Sequence, residues 1–223
     1  MDSAAPEMAD LTLDELRVAL APAIADNAVF DGWTNDALAL AAEQNDVDPD
    51  VAALAFKGGA IAMVGAWIES IDSAMVAANP SAALAELPIR ERIRTLVQFR
   101  LDAIAGQEEA LRRATAILAM PQNVPTALKT GWRSADLMWR LAGDTATNYN
   151  HYTKRTILAG IYTATLAVFA GDESEDKADT RAFLDRRIEG VMRFEKVKAK
   201  LTSSDRETFS MTRFLGRLRY PGA

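Results

Sequence analysis

His151 is the only histidine in this chain of 223 residues, and it sets a low ceiling on catalytic chemistry. A di-iron helical bundle needs two Glu-x-x-His motifs, which one histidine cannot supply. A Ser–His–Asp triad using His151 remains open on spacing, but no Gly-x-Ser-x-Gly elbow supports it. The carboxylate pairs Glu108–Glu109 and Glu173/Glu175 lie in acidic stretches that read as solvated surface rather than as a general acid and base. Gly58–Gly59 follows Lys57, but without the strand and spacing of a phosphate loop it reads as a helix start. With no cysteine there is no thiolate metal site, no disulfide and no cysteine nucleophile, and a reducing compartment fits. The expectation is a protein that is not an enzyme and has neither catalytic residues, nor a metal, nor a cofactor.

The elements that position these residues carry the helical period throughout, and nothing reads as a strand. Thr12-Leu13-Asp14-Glu15 is a capping box that opens a first helix, in which Pro22 predicts a kink or a break. Thr34 caps a second helix, and Asp48–Pro49 starts a short third one through Phe56. A long apolar helix runs from Gly59 to about Ala78, and Pro80 and Pro88 bracket a loop. Ile89, Ile93, Leu96, Val97, Leu101 and Ile104 mark an amphipathic helix. Further helices follow over Gln107–Met120, Pro125–Leu141, Asp144–Ala170 and Asp176–Leu201. Ile157–Phe169 is apolar on nearly all sides, which predicts the central, buried helix. The fold class is all-α, with about nine or ten helices. Residues 1–57 form a small three-helix unit, 58–203 a larger helical body, and 204–223 a basic tail.

Charge constrains the partners. Residues 1–57 hold twelve Asp or Glu but only Arg17 and Lys57, whereas Arg193 to the end holds eight Lys or Arg against three acids. The stretch AAEQNDVDPDVAAL resembles a helix-turn-helix, and with the larger body behind it the chain resembles a TetR-type repressor. A recognition helix needs Lys and Arg against phosphate. Here it presents Asp46, Asp48 and Asp50, so the fold is expected without nucleic-acid binding. A ligand-responsive regulator is kept as the alternative. The N-terminus lacks a basic region leading into an apolar run, and no run reaches the roughly 18 uninterrupted apolar residues that span a bilayer, which predicts a cytoplasmic protein that crosses no membrane.

The body carries an apolar surplus. Trp67, Ile71 and Met75 follow one another at four-residue spacing; Trp132, Met138 and Trp139 sit on a second helix; Ile157, Ile161, Tyr162, Leu166 and Phe169 sit on a third. They fill a core or line a lipophilic cavity, and periodicity does not separate the two. In the tail FSMTRFLGRLRY, Met211, Phe214, Leu215 and Leu218 share one face, with Arg213 and Arg217 opposite. Such a helix docks on its own core or lies in a headgroup layer, its arginines on anionic lipid. A membrane-surface scaffold without a cavity is a third reading.

MWRLAGDTATNYNHYTKRTILAGIYTATL, followed by ADTRAFLDRRIEGVM, closely resembles the signature of the ninth coenzyme Q biosynthesis protein family. The likeness extends more weakly through FDGWTNDALALAAEQ and FKGGAIAMVGAWIE to IRERIRTLVQFRLDAI. The resemblance implies a TetR-like fold that has lost DNA binding, an isoprenoid quinone intermediate or phospholipid as ligand in the large body, and a C-terminal helix on the inner membrane. It also implies a partner, the di-iron hydroxylase acting on demethoxyubiquinone, contacted through positions corresponding to His151 and Tyr152. Family members often carry Trp where His151 stands. If helical, the segment puts Asp144, Asn148, His151, Tyr152 and Arg155 on one face, either as an exposed partner surface or as an interior polar network. The sequence leaves the choice between monomer and homodimer open.

Overall fold

A computed structural model describes residues 8–145 and 149–204. The tail residues Met211, Arg213, Phe214, Leu215, Arg217 and Leu218 lie outside the described residues, as does Asn148. Among the described residues there are α-helices and short 3₁₀ turns and no strand. Residues up to Leu184 form one compact unit, and a second begins at Asp185.

The first helix, α1 (Leu13–Asp31), starts at the predicted capping box: the Glu15 amide donates to the Thr12 hydroxyl, and the Thr12 amide donates to the Glu15 carboxylate at 2.9 Å. Pro22 sits inside α1 without ending it. The helix buries Leu16, Leu20, Ile24 and Ala28 along one stripe, and each of the larger residues contributes about 1.5–3 kcal/mol by leaving water. It stops at Gly32, whose φ of 72° suits a residue without a Cβ. Helix α2 (Asn35–Gln44) is capped by Thr34 and α3 (Pro49–Ala55) by Asp48, as expected. Val47 is buried in the turn between them. Arg17 ties α1 to the end of α3 by donating to the Ala55 carbonyl at 2.5 Å.

Helix α4 (Ala60–Ala78) begins at Gly59, which has a φ of 65°. By length and composition α4 is long and apolar enough to cross a membrane. It nevertheless carries a buried Asp72 and packs against α1 and against three later helices, as a core helix does. The expected loop between the two prolines contains a five-residue helix, α5 (Ser81–Ala85), which is too short to show a period. Helices α6 (Ile89–Asp102), α7 (Glu108–Leu118), α8 (Val124–Leu141), α9 (Tyr149–Phe169) and α10 (Ala178–Ser204) complete the order. Trp33 joins the ends of the unit: its indole N–H donates to the Ala110 carbonyl at 3.0 Å, and its ring lies 5.2 Å from that of Trp67.

One expectation is overturned. The central helices are α1 and α4, whereas α9 packs chiefly on α8 and leaves Thr156, Gly160, Thr163 and Ala167 exposed. These residues are small and uncharged, so the stripe looks apolar in sequence although it faces outward. Absence of charge in a stripe does not by itself mean burial.

The start of α10 is clamped by Asp172. Its carboxylate accepts from the Ser174 amide at 2.9 Å and hydroxyl at 2.5 Å, and from the Thr180 amide at 2.8 Å and hydroxyl at 2.6 Å. These donors hold the Asp172 pKa far below the usual carboxylate range, with the bond from Ser174 contributing most. A depressed folded-state pKa adds stability that is present above the unfolded value, near 4, and is lost as pH falls toward the folded one. Asp172→Ala should therefore cost about 2–3 kcal/mol in urea unfolding at neutral pH. The gap between variant and wild type should narrow as the titration is repeated at progressively lower pH below about 4.

Candidate functional site

Helices α4, α6, α7, α8 and α9 enclose a cavity of about 460 Å³. Trp67, Ile68 and Ile71 come from α4, Leu111 and Leu118 from α7, and Tyr162 and Leu166 from α9. Ile104, just past α6, adds to the apolar wall. Small residues make the space: Ala114, Thr115, Ala127, Thr130 and Gly131 leave α7 and α8 without bulk where they face each other. The rim includes the half-buried Ala127 and the exposed Gly131, Thr163 and Ala167. A largely apolar cleft of this size falls within the roughly 300–1,000 Å³ typical of small-molecule sites.

One wall is polar. Arg100 of α6 is 1% exposed and lines the cavity. Its Nη1 donates to the buried Asp72 carboxylate, which also accepts from the Ser134 hydroxyl at 3.1 Å. The guanidinium carbon lies 4.9 Å from the centre of the Tyr162 ring, within cation–π range. Burial works to lower the Arg100 pKa, but Tyr162 and Asp72 outweigh it and raise the pKa above the ordinary guanidinium value. The group is a permanent cation with its counter-ion built in.

Of the residues predicted to meet a lipid, Trp67, Ile71, Tyr162 and Leu166 line this cavity together. The others sit elsewhere. Met75 and Met138 are fully buried core residues, and Ile157 and Ile161 are half-buried on α9 away from the lining. Trp139 donates its indole N–H to the Lys154 carbonyl at 3.0 Å, and the Lys154 ammonium lies 5.3 Å from its ring centre. Trp132 is half-buried beside His151 and Tyr152. Sequence reasoning missed Arg100, although a signal existed. In Ile93, Leu96, Val97, Leu101 and Ile104 the apolar stripe of α6 passes through position 100, so an arginine there had to be buried.

The second cluster lies where the polar dodecapeptide enters α9. The expected single face does not form. Asp144 precedes the helix, and the Asp144 and Arg155 side chains are 5% and 2% exposed. Arg155 donates to Asp136 of α8 at 2.5 Å and to Asp144 at 3.0 Å, while Lys154 reaches Asp144 at 2.6 Å. Burial raises the Asp144 pKa, but the bonds from Lys154 and Arg155 more than offset this and lower it. These residues form an interior network that pins α8 to α9. Outside it stand the aromatics: Tyr152 is 62% exposed, its ring 5.1 Å from His151 edge-on and 5.9 Å from Trp132. Among the described residues no group of His, Cys, Asp and Glu is arranged to hold a metal.

The arrangement is that of a TetR-like all-α protein. It is similar to the crystal structure of the TetR transcriptional regulator from Nitrosomonas europaea, with a TM-score of 0.62 and 25% identity, covering 78% of this chain and 96% of that one. Residues 124–195, which include α8, α9 and the beginning of α10, match the family model COQ9. The rat ubiquinone biosynthesis protein COQ9, mitochondrial, is 43% identical over 100 residues, 45% of this chain and 32% of that protein. The Xenopus tropicalis protein of the same name is 31% identical over 168 residues, 72% of this chain and 53% of that protein. The Drosophila melanogaster protein is 27% identical over 188 residues, 82% and 57% of the two chains. The chain is thus related to the COQ9 proteins, and it spans about a third to a little over half of the length of these relatives.

Gly131 offers a direct probe of the cavity, because a Cβ added there meets no atom within 4 Å. Gly131→Leu should stabilise α8 by up to about 1 kcal/mol through helix propensity. The same change should weaken binding of an uncharged apolar fluorophore such as N-phenyl-1-naphthylamine several-fold, read by titration beside thermal unfolding.

Proposed function

We infer that this protein is a non-enzymatic, lipid-binding accessory protein of ubiquinone biosynthesis. In this reading it takes an isoprenoid quinone intermediate from the membrane into the cavity and presents its head group to a di-iron demethoxyubiquinone hydroxylase. The observation that carries the reading is the apolar cavity, two of whose walls, α8 and α9, lie within the segment matching the COQ9 model. The relatives' names, ubiquinone biosynthesis protein COQ9, supply the pathway. Burial of an isoprenoid contributes about 0.8 kcal/mol per CH₂, enough to make extraction from a bilayer feasible. Tyr152, exposed beside His151 and Trp132, is the aromatic anchor offered to the hydroxylase, and Arg155, Lys154 and Asp144 hold the helix that presents it. The basic tail from residue 204 supplies contact with the inner-membrane surface, and the protein works there as a peripheral protein, alone or as a homodimer.

A regulator is the second reading, favoured by the likeness to the Nitrosomonas protein. The acidic turn and α3, with Asp46, Asp48 and Asp50, oppose it, since docking them on DNA sets like charge against like.

Organic extraction and mass spectrometry of protein purified without detergent should yield a stoichiometric isoprenoid or quinone. A protein that stays empty after incubation with liposomes would exclude the lipid-carrier reading. Tyr152→Ala should weaken hydroxylase binding about tenfold or more, as loss of an interface aromatic does, and leave the lipid content unchanged. Unchanged affinity for the hydroxylase would remove Tyr152 from the interface.

A further inference from the structure

We propose that Arg100 is the head-group anchor of the cavity and that it selects a neutral amphiphile carrying an acceptor oxygen, such as a quinone carbonyl, over a fatty-acid-like anion. This rests on the lipid-cavity reading above and adds to it the chemistry of the ligand's polar end.

Two observations carry it. Among the described residues the Arg100 Nε–H is buried without a hydrogen-bond partner, although the side chain lines a cavity that is otherwise mostly apolar. A buried donor left unsatisfied is costly, and native structures leave few of them. Arg100 exposes almost no surface to the empty cavity, so a ligand oxygen at this wall supplies the missing acceptor as the guanidinium turns toward it. The second observation is charge. Arg100 is ion-paired with Asp72, the rim residue Arg112 with Glu109, and the nearby Arg133 with Glu69 and Asp72. Each cation at this wall already has its carboxylate. A ligand carboxylate would enter beside Asp72 with no cation to spare, and burying a further uncompensated charge is strongly unfavourable. A neutral oxygen needs only the N–H.

The test is isothermal titration of the full chain with three probes sharing one tail: geranyl-benzoquinone, geranylbenzene and geranylacetate. Wild type should bind the quinone about tenfold more tightly than the hydrocarbon, the scale of one hydrogen bond to a charged group, and more tightly than the carboxylate. Asp72→Asn, nearly isosteric, leaves Arg100 without its counter-ion and should reverse the order of quinone and carboxylate. The paired change Arg100→Met with Asp72→Leu leaves no buried charge unpaired, so it should fold, hold the tail and no longer separate quinone from hydrocarbon. Equal affinity for quinone and hydrocarbon in wild type would overturn the anchor while the cavity reading stands. A carboxylate bound tightest by wild type, or an unchanged order in Asp72→Asn, would overturn the neutral selection. Binding of none of the three would overturn the cavity reading as well.

Discussion

The ion pair of Asp72 and Arg100 is the constraint around which the body is arranged. Asp72 comes from α4, Arg100 from α6, Ser134 from α8 and Tyr162 from α9, so four helices meet at one buried polar centre. Removing two charges from water is expensive, and a buried pair is often no more stabilising than apolar residues of the same volume. What such a pair does provide is uniqueness. With Asp72 held by both Arg100 and Ser134, α6 and α8 have one register against α4, and sliding either helix leaves a buried charge alone. Fixing the register fixes the cavity, because its walls are set back only where Ala114, Thr115, Ala127 and Gly131 face inward.

The N-terminal three helices separate the residues that set a fold from those that set its surface charge. Their packing relies on α1, whose buried stripe serves both α2 and α3 on one side and α4 and α7 on the other. That stripe constrains the core and leaves the outer faces free. The outer faces carry Asp36, Glu43, Asp48 and Asp50, with no basic residue from Arg17 to Lys57. Shape is therefore conferred by apolar positions and electrostatics by the exposed ones, and the two vary independently.

Local chemistry made most element boundaries legible in the sequence. Thr12 with Glu15, Thr34, Asp48 before Pro49 and Gly59 each mark a helix start, because each satisfies orphan amides or supplies a backbone conformation that few residues adopt. Tertiary facts were less legible. Large apolar residues announce themselves, so Trp67, Ile71, Tyr162 and Leu166 were found, but a cavity is equally the work of small residues, which carry no hydrophobic signal. Arg100 was missed, and position is its one signal: it falls on the apolar face of α6, and Asp72 falls next to Ile71 in an apolar helix. Two opposite charges embedded in two apolar stripes form a pattern a sequence can show. In the dodecapeptide, the polar residues split between inside and outside, which helical periodicity could not resolve because Asp144 lies before the helix begins.

Helix α9 joins the aromatic cluster at Tyr152 to the cavity. Tyr152 is exposed near its start and Tyr162 lines the cavity ten residues later, a separation of about 15 Å along the axis. Between them Arg155 is locked to Asp136 and Asp144, and past the cavity Phe169 and the Asp172 clamp hold the other end. A helix pinned at both ends presents its exposed aromatic and its cavity residues in a constant relation. The distance between Tyr152 and the cavity is therefore fixed by the helix itself. The exposed stripe of Thr156, Gly160, Thr163 and Ala167 runs along the outer side of the same helix and contributes to the rim. Its small side chains place no bulk over that side, and this is the physical reason a helix that reads as buried in sequence belongs at the surface.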